Sequence, residues 1–390
     1  MSRIPQPLRD APAAEWNVYA DALQEANDPR GVLIALAEKP AERDAHVAQH
    51  KQALFGPAAE YFDAFQVGWK YSLPDSVEIA VKGDTAAALV EAFLQSPLAE
   101  GVREVVLAGV ASKGFPVDLT AGVKRLLAKL PDTVRSLGFV DQRASQTTML
   151  ASRDFDPGDN LVTFGSLADI WKVTDLEEVR IEVADVHQLD VGTIDAPALR
   201  SFTLRSLRYG ANDAPPITAA LAAARWPALR SFELRLPEEF CANLIADEDA
   251  YIPWYAGNED YEDRMDEAEI EGENMDGTNW AQLAPVLANL AKCPLERLAL
   301  TSFDSAETLL ATLAEAGWAP SLVELDLSDS SIRDAAWFEA NQVRLATVKR
   351  LVLERVALTE ADAKRLEKLG PELRYSSGSG ASYRYIVGSE

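Results

Sequence analysis

Residues able to do covalent or metal chemistry are scarce in this chain, and their spacing suits it poorly. Three histidines occur in all. His46 and His50 stand four apart on a stretch of helical periodicity, so both fall on one helix face, where two imidazoles can share a zinc ion. A third ligand of matching spacing is missing, and Asp44, Gln49 and Lys51 around the pair describe a polar, solvated helix face instead. His187 has neither a serine elbow nor a cysteine near it, so no nucleophile and base can be paired. Cys241 and Cys293 fit no metal spacing and no disulfide framework, and read as small buried hydrophobes. Gly109-Val-Ala-Ser-Lys-Gly114 has the composition of a phosphate loop with the wrong glycine spacing and the wrong Lys-Ser order. Carboxylate pairs abound because acids outnumber bases 62 to 37, so chance alone produces them. The expectation is a non-enzymatic protein with no catalytic residues, no metal ligands and no cofactor.

The formal charge of -25 sets the expected partners. It repels phosphate backbones and anionic lipid surfaces and favours encounter with basic proteins, so a protein partner is expected and nucleic acid and membrane are not. No apolar run approaches the length of a bilayer crossing, and Met1 to Asp10 holds arginines and prolines without an apolar export core. A cytoplasmic location follows as the expectation.

What must position any working residue is an aliphatic hexapeptide, apolar-x-x-apolar-x-apolar, that recurs along the chain. The clearest copies begin at Leu176, Leu199, Leu229, Leu295, Leu322 and Val348, as in Leu199-Arg-Ser-Phe202-Thr-Leu204. Earlier copies are Val102 to Leu107 and Val134 to Phe139, with a first strand at Val77 to Val81. Between them lie Ala- and Leu-rich amphipathic stretches: Thr85–Leu98, Val117–Leu130, Ile217–Arg225, Trp280–Ala291, Ala306–Ala316 and Asp334–Leu345. Strand, helix and strand in one sheet imply a right-handed crossover. The period predicts an α/β repeat solenoid in which residues one, four and six of each hexapeptide are core. Fully burying each such Leu or Phe stabilises by roughly 1.5–3 kcal/mol, which no isolated unit can set against its ordering entropy.

Residues 1–66 lack the strand pattern. Trp16, Val18, Tyr19, Ala22 and Leu23 recur at helical spacing, Asp28-Pro29-Arg30-Gly31 reads as a break, Val32 to Glu38 resumes, and a third helix is expected over Ala41–Leu54. The run Val18-Tyr-Ala-Asp-Ala-Leu-Gln-Glu-Ala-Asn-Asp-Pro-Arg-Gly-Val-Leu-Ile-Ala-Leu36, followed by Phe65-Gln-Val-Gly68-Trp69, resembles the repeat-companion segment at the front of many bacterial leucine-rich repeat proteins. The copies behind it are similar to the ribonuclease-inhibitor-like class. That resemblance implies a right-handed leucine-rich repeat horseshoe with a helical N-terminal cap, a binding role, and no catalytic residues. The asparagine usual after each strand in that family is replaced by Val110, Leu207, Pro237, Phe303, Ser330 and Val356, so backbone groups in these turns must find other partners.

The expected organisation is a cap over 1–66, a solenoid of about nine strand-helix units over 67–374, an insertion over 245–279, and a C-terminal cap over 375–390. In the cap, Leu373-Arg-Tyr375 and Tyr383-Arg-Tyr-Ile-Val387 suggest a hairpin or an added edge strand. The insertion carries a run of acids from Asp247 to Asp276 against the single base Arg264, interleaved with Tyr251, Trp254, Tyr255 and Tyr261. It reads as a solvated loop whose rings pack back on the solenoid, as a docking site for a basic partner with Tyr251, Trp254 and Tyr255 as anchors, or, on the faint echo Glu273-Asn-Met-Asp276-Gly277, as a calcium loop. Positions three, five and seven of the hexapeptides face away from the core, onto the surface where solenoids bind. They place Glu178, Arg180, Arg205, Glu233, Arg235, Arg297, Glu324, Asp326 and Arg350 as partner-binding candidates, with Glu182, Ser201, Thr203, Ser231, Thr301, Ser328 and Glu354 among them. Neighbouring acids and arginines on this face also invite pairing with each other. Two roles follow as expectations: an interaction scaffold, or an inhibitor or immunity protein that blocks a basic enzyme.

Overall fold

The computed structural model describes residues 11–70, 73–110, 116–142, 162–185, 189–208, 216–235, 278–301, 306–317, 321–330, 332 and 334–377. The chain forms two compact units, one of residues 1–142 with 158–164, the other of residues 143–157 with 165–390. Both are mixed α/β.

The first unit opens on helices. α1 (Ala13–Glu25) ends at Asn27, which takes a left-handed φ of 55°. Asp28 N–H donates to Leu23 O at 2.8 Å and Asn27 N–H to Gln24 O at 2.9 Å, so the last carbonyls of α1 are satisfied within the turn. Asp28 then caps α2 (Pro29–Ala35), accepting from Arg30 N–H, with Pro29 at the first helical position. The expected break at Asp28 to Gly31 is therefore a corner, and Pro29 to Gly31 lie inside the second helix. Gly31 is dictated by packing: a Cβ there would lie 2.6 Å from Ala20 O on α1. The expected third helix is split at His50 into α3 (Pro40–Gln49) and α4 (Lys51–Phe55).

The remainder of the unit holds β1 (Phe65–Lys70), β2 (Leu73–Val81), α5 (Ala86–Leu94), β3 (Glu104–Gly109), β4 (Val117–Asp118), α6 (Thr120–Ala128), β5 (Ser136–Asp141) and β6 (Val162–Thr163). The order is β1-β2-β3-β5, antiparallel only at β1/β2, and β4 pairs with β6. Sequence reading did not find β1, whose residues Phe65 to Trp69 carry the resemblance described above, as a strand.

In the second unit, β7 (Glu178–Asp185), β8 (Ser201–Arg208), β9 (Ser231–Arg235), β10 (Arg297–Thr301), β11 (Glu324–Asp326), β12 (Arg350–Val356) and β13 (Glu372–Ser377) lie side by side in chain order, every pair parallel. Between them run α7 (Pro216–Ala223), α8 (Thr278–Leu290), α9 (Ala306–Ala316), α10 (Ala336–Ala340), α11 (Gln342–Leu345) and α12 (Glu360–Leu366). α8 packs on both α7 and α9. No helix separates β7 from β8 among the described residues; Ser166 bridges to Asp190 and Asp195 to Arg225 in extended chain instead. The expected insertion over 245–279 gives up its last two residues, because α8 begins at Thr278. β13 straddles the expected boundary at 374/375 and pairs parallel with β12, while Tyr383 to Val387 of the expected hairpin or edge strand lie outside the described residues.

Hexapeptide register is uniform. At the copies beginning Leu176, Leu199, Leu229, Leu295, Leu322 and Val348, residues one, four and six are all buried. The backbone repeats with them: Glu177 O accepts from the N–H groups of Arg200 and Ser201, Arg200 O from Arg230 and Ser231, Arg230 O from Glu296 and Arg297, Glu296 O from Val323 and Glu324, and Val323 O from Lys349 and Arg350. Each copy thus hands one carbonyl to the next in the same place. Leu287, Leu290, Leu295, Leu298, Leu313 and Leu322 close a crevice of about 10 Å³, too small for more than a single water.

Serines accept from backbone N–H groups of β12. Ser328 Oγ accepts from Glu354 N–H at 3.1 Å, and Ser376 Oγ from Arg355 N–H at 3.0 Å. Asp329 and Arg355, both at left-handed φ, form a two-pronged pair at 2.5 and 2.7 Å. Val110 N–H donates to Val81 O at 2.8 Å.

Candidate functional site: a charged sheet face

Because side chains alternate across a strand, burying residues four and six of each hexapeptide sends residues three, five and seven to the opposite face. Parallel pairing then lines them up. Glu178, Ser201, Ser231, Arg297, Glu324, Arg350 and Glu372 form one row across the strands, and Arg180, Thr203, Glu233, Ala299, Asp326, Val352 and Arg374 a second. Glu182, Arg205, Arg235 and Thr301 begin a third.

Opposite charges meet along these rows in a continuous ladder. Arg180 Nε lies 3.3 Å from Glu182 Oε1, and Arg205 Nη1 donates to the same oxygen at 3.2 Å. Arg205 Nε donates to Glu233 Oε1 at 2.6 Å, and Arg297 Nη1 to Glu233 Oε2 at 3.1 Å. Arg297 Nε donates to Glu324 Oε1 at 2.9 Å, and Arg350 Nη1 to Glu324 Oε2 at 2.7 Å. Arg297 Nη2 reaches Asp326 at 3.5 Å, and Arg350 Nε reaches Glu372 at 3.7 Å. The ladder joins Arg180, Arg205, Glu233, Arg297, Glu324, Asp326 and Arg350 of the expected site residues. Glu178 is exposed at the head of its row, and Arg235 is half-buried at the end of β9.

Burial and pairing pull against each other here. Burial raises the Glu233 carboxyl, but the hydrogen bond from Arg205 and the charges of Arg205 and Arg297 outweigh it and hold the group below its ordinary 4.5. Glu324 is likewise held low, burial being overcome by the bonds from Arg297 and Arg350. Asp326 goes the other way: its burial outweighs the bonds from Ser328 and the charge of Arg297, and its carboxyl is raised. Burial lowers Arg205 and Arg297, yet their carboxylate partners more than compensate and hold both above the usual arginine value.

The face is less open than its polarity implies. Glu182, Glu233, Thr301 and Ser328 are buried although they point away from the core. Ala299 and Val352 interrupt the second row with apolar side chains that are also buried. The earlier strands carry Val106, Ala108 and Val140 as a separate buried apolar cluster. Sequence reading missed Glu372 and Arg374, because the copy that holds them starts with Gly370 and ends with Tyr375 in place of aliphatic residues. The usable signal was the spacing of Pro371-Glu372-Leu373 behind Leu369.

His46 and His50 rings lie 4.3 Å apart between centroids, with His46 Nε2 3.1 Å from Pro29 O, which ties α3 to α2. Among the described residues no group of three or more His, Cys, Asp or Glu is placed to hold a metal. Cys293 is buried and its thiol pushed up by that burial. A shallow depression of about 390 Å³ in the first unit contains Ser96, whose Oγ accepts from Leu98 N–H at 3.1 Å and caps the turn. Tyr251, Trp254, Tyr255, Cys241 and His187 lie outside the described residues.

No protein-family model matches the chain. No curated protein matches it either. Among solved structures it is similar to a Bacteroides fragilis protein determined by the Northeast Structural Genomics Consortium, at a TM-score of 0.51 and 13% identity, over 74% of this chain and 69% of that one. Such identity speaks to fold alone. No helix among the described residues is long and apolar enough to cross a membrane.

Proposed function

We propose that the chain is a right-handed leucine-rich repeat solenoid of the ribonuclease-inhibitor-like class behind a helical repeat-companion cap, and that it works in the cytoplasm as a non-enzymatic scaffold for a protein partner. The partner docks on the face formed by the rows of Arg180, Arg205, Glu233, Arg297, Glu324, Asp326 and Arg350. The carrying observation is the uniform register of β7–β13, in which each hexapeptide hands the same carbonyl to the next and turns the same positions outward. A surface built by such repetition is broad, rigid and polar, which suits recognition of another chain and offers no converging nucleophile and base. The acidic, aromatic segment between β9 and α8 is a second contact in this proposal.

Affinity capture from the native host tests the role. Ser231→Trp places bulk in the middle of the face without removing a ladder ion, and deletion of 246–276 removes the acidic segment. Wild type should retain a specific partner that Ser231→Trp loses, and the deletion should weaken retention in a salt-dependent way. A partner held equally by all three proteins would refute docking on this face. The net charge of -25 favours a second role, inhibition of a basic enzyme; recovery of a basic nuclease or toxin, with loss of its activity on binding, would select it.

A further inference from the structure

We infer that the β7–β13 face takes an acidic peptide, a segment in the polyproline-II conformation with Asp or Glu about every third residue, laid across the strands. The inference rests on the docking role proposed above and reverses the sign of partner that net charge suggests. Exposure carries it. The side chains of Arg180, Arg205, Arg297 and Arg350 are 38, 37, 33 and 38% exposed, against 1, 11, 20 and 16% for Glu182, Glu233, Glu324 and Asp326. Among these eight residues the carboxylates form a lower tier and the guanidiniums the tier that an approaching molecule meets, while at the two ends Glu178 heads the first row exposed and the side chains of Glu354 and Glu372 toward β13 are 47 and 61% exposed.

The lower tier is also already engaged. Glu233 and Glu324 each divide their two oxygens between two arginines, so a lysine of a basic partner would have to displace a guanidinium to reach either one. The arginines retain capacity. Arg180 reaches Glu182 through Nε, and Arg350 reaches Glu324 through Nη1 and Glu372 through Nε, whereas each guanidinium carries five N–H donors. A guanidinium presents five donors in a plane and takes a carboxylate two-pronged.

Spacing sets the repeat of the ligand. Arg297 and Arg350 share one row and are separated by the strand that carries Glu324. Strands lie about 4.8 Å apart, so these arginines are roughly 9.6 Å apart, close to the ~9.3 Å of one three-residue turn of polyproline II, in which every third side chain returns to the same face. Charge elsewhere on the chain is screened beyond about 8 Å at physiological salt, so the local tier decides the contact.

Fluorescence anisotropy on the full chain at ~0.15 M salt tests this with three labelled probes: a repeating Glu-Gly-Ser peptide, a repeating Lys-Gly-Ser peptide, and a single-stranded oligonucleotide matched in charge to the first. The acidic peptide should bind best. Arg180→Gln with Arg350→Gln should weaken it about tenfold, the worth of one charge-assisted bond. Glu324→Gln should tighten it, because Arg297 and Arg350 lose a competing carboxylate; that measurement stands alone if the double variant fails to fold. Preference for the lysine peptide, preference for the oligonucleotide, weaker binding by Glu324→Gln, or no binding by any probe each overturns the inference. The docking role itself fails separately, only if the host partner survives Ser231→Trp.

Discussion

Replacing Glu233 with Gln tests the ladder where it is most tightly held. Glu233 is buried, and its carboxylate accepts from Arg205 at 2.6 Å and from Arg297 at 3.1 Å. A hydrogen bond to a charged group contributes roughly 1.5–3 kcal/mol. Both arginines are about a third exposed, which screens the pairs, and glutamine keeps one acceptor and sheds the desolvation cost of the carboxylate. The expected loss at pH 7 is therefore about 1–2 kcal/mol, read in the unfolding of the second unit as a midpoint lower by roughly 2–8 °C. The pH dependence gives a second readout. Because the folded carboxyl titrates below its ordinary 4.5, its contribution is fully present above that value and is lost as pH falls through the folded one. Wild type and Glu233→Gln should differ at pH 7 and converge in acid. Asp326, raised by burial, favours the folded state in acid in both proteins and so largely cancels in the comparison. Thermal melts by circular dichroism across this pH range are the assay. Identical midpoints at pH 7, or a gap that persists unchanged well below pH 4.5, would refute a stabilising ladder.

Leu325→Asp introduces a carboxylate at a fully buried position of β11 between β10 and β12, and should unfold the strands from β10 onward. Hydrogen exchange that stays protected in β12 would contradict the register. Gly31→Ala should destabilise the first unit by about 1–3 kcal/mol, since its Cβ would meet Ala20 O and the Gln24 backbone at 2.6 and 2.7 Å. Unchanged melting would mean that α1 and α2 do not pack as closely as described.

The strands of the second unit were legible because their signal is redundant. Residues one, four and six of each hexapeptide are buried for the same reason in every copy, and the pattern survives the long interruption between Leu229 and Leu295: β9 and β10 pair directly. Helices were legible where propensity and period agreed, as over Ala306–Ala316, and less so where local geometry intervened. Asp28-Pro29 looks like a chain break and is a cap with proline at the first helical position, which only the N–H groups of α2 decide. His50 divides a continuous apolar period because its own φ/ψ leave the helix. β1 escaped because it pairs antiparallel with β2, unlike every later pair of strands, and its residues alternate weakly.

The face was legible as a set of positions and illegible as a set of interactions. Alternation places Arg205 and Glu233 on the same side of the sheet, but which carboxylate oxygen serves which arginine depends on strand register across residues up to Arg297 and Glu324. Net charge misleads for a related reason. It sums every residue of the chain, whereas a docking molecule meets the few groups left outermost after the ladder has closed. Long arginine side chains can pass over a shorter carboxylate and still reach it from above; glutamate anchored on the neighbouring strand cannot rise past the guanidinium that covers it. An acidic protein can therefore present a cationic upper tier without any excess of arginine where a carboxylate is shared by two arginines, as Glu233 is by Arg205 and Arg297 and Glu324 by Arg297 and Arg350.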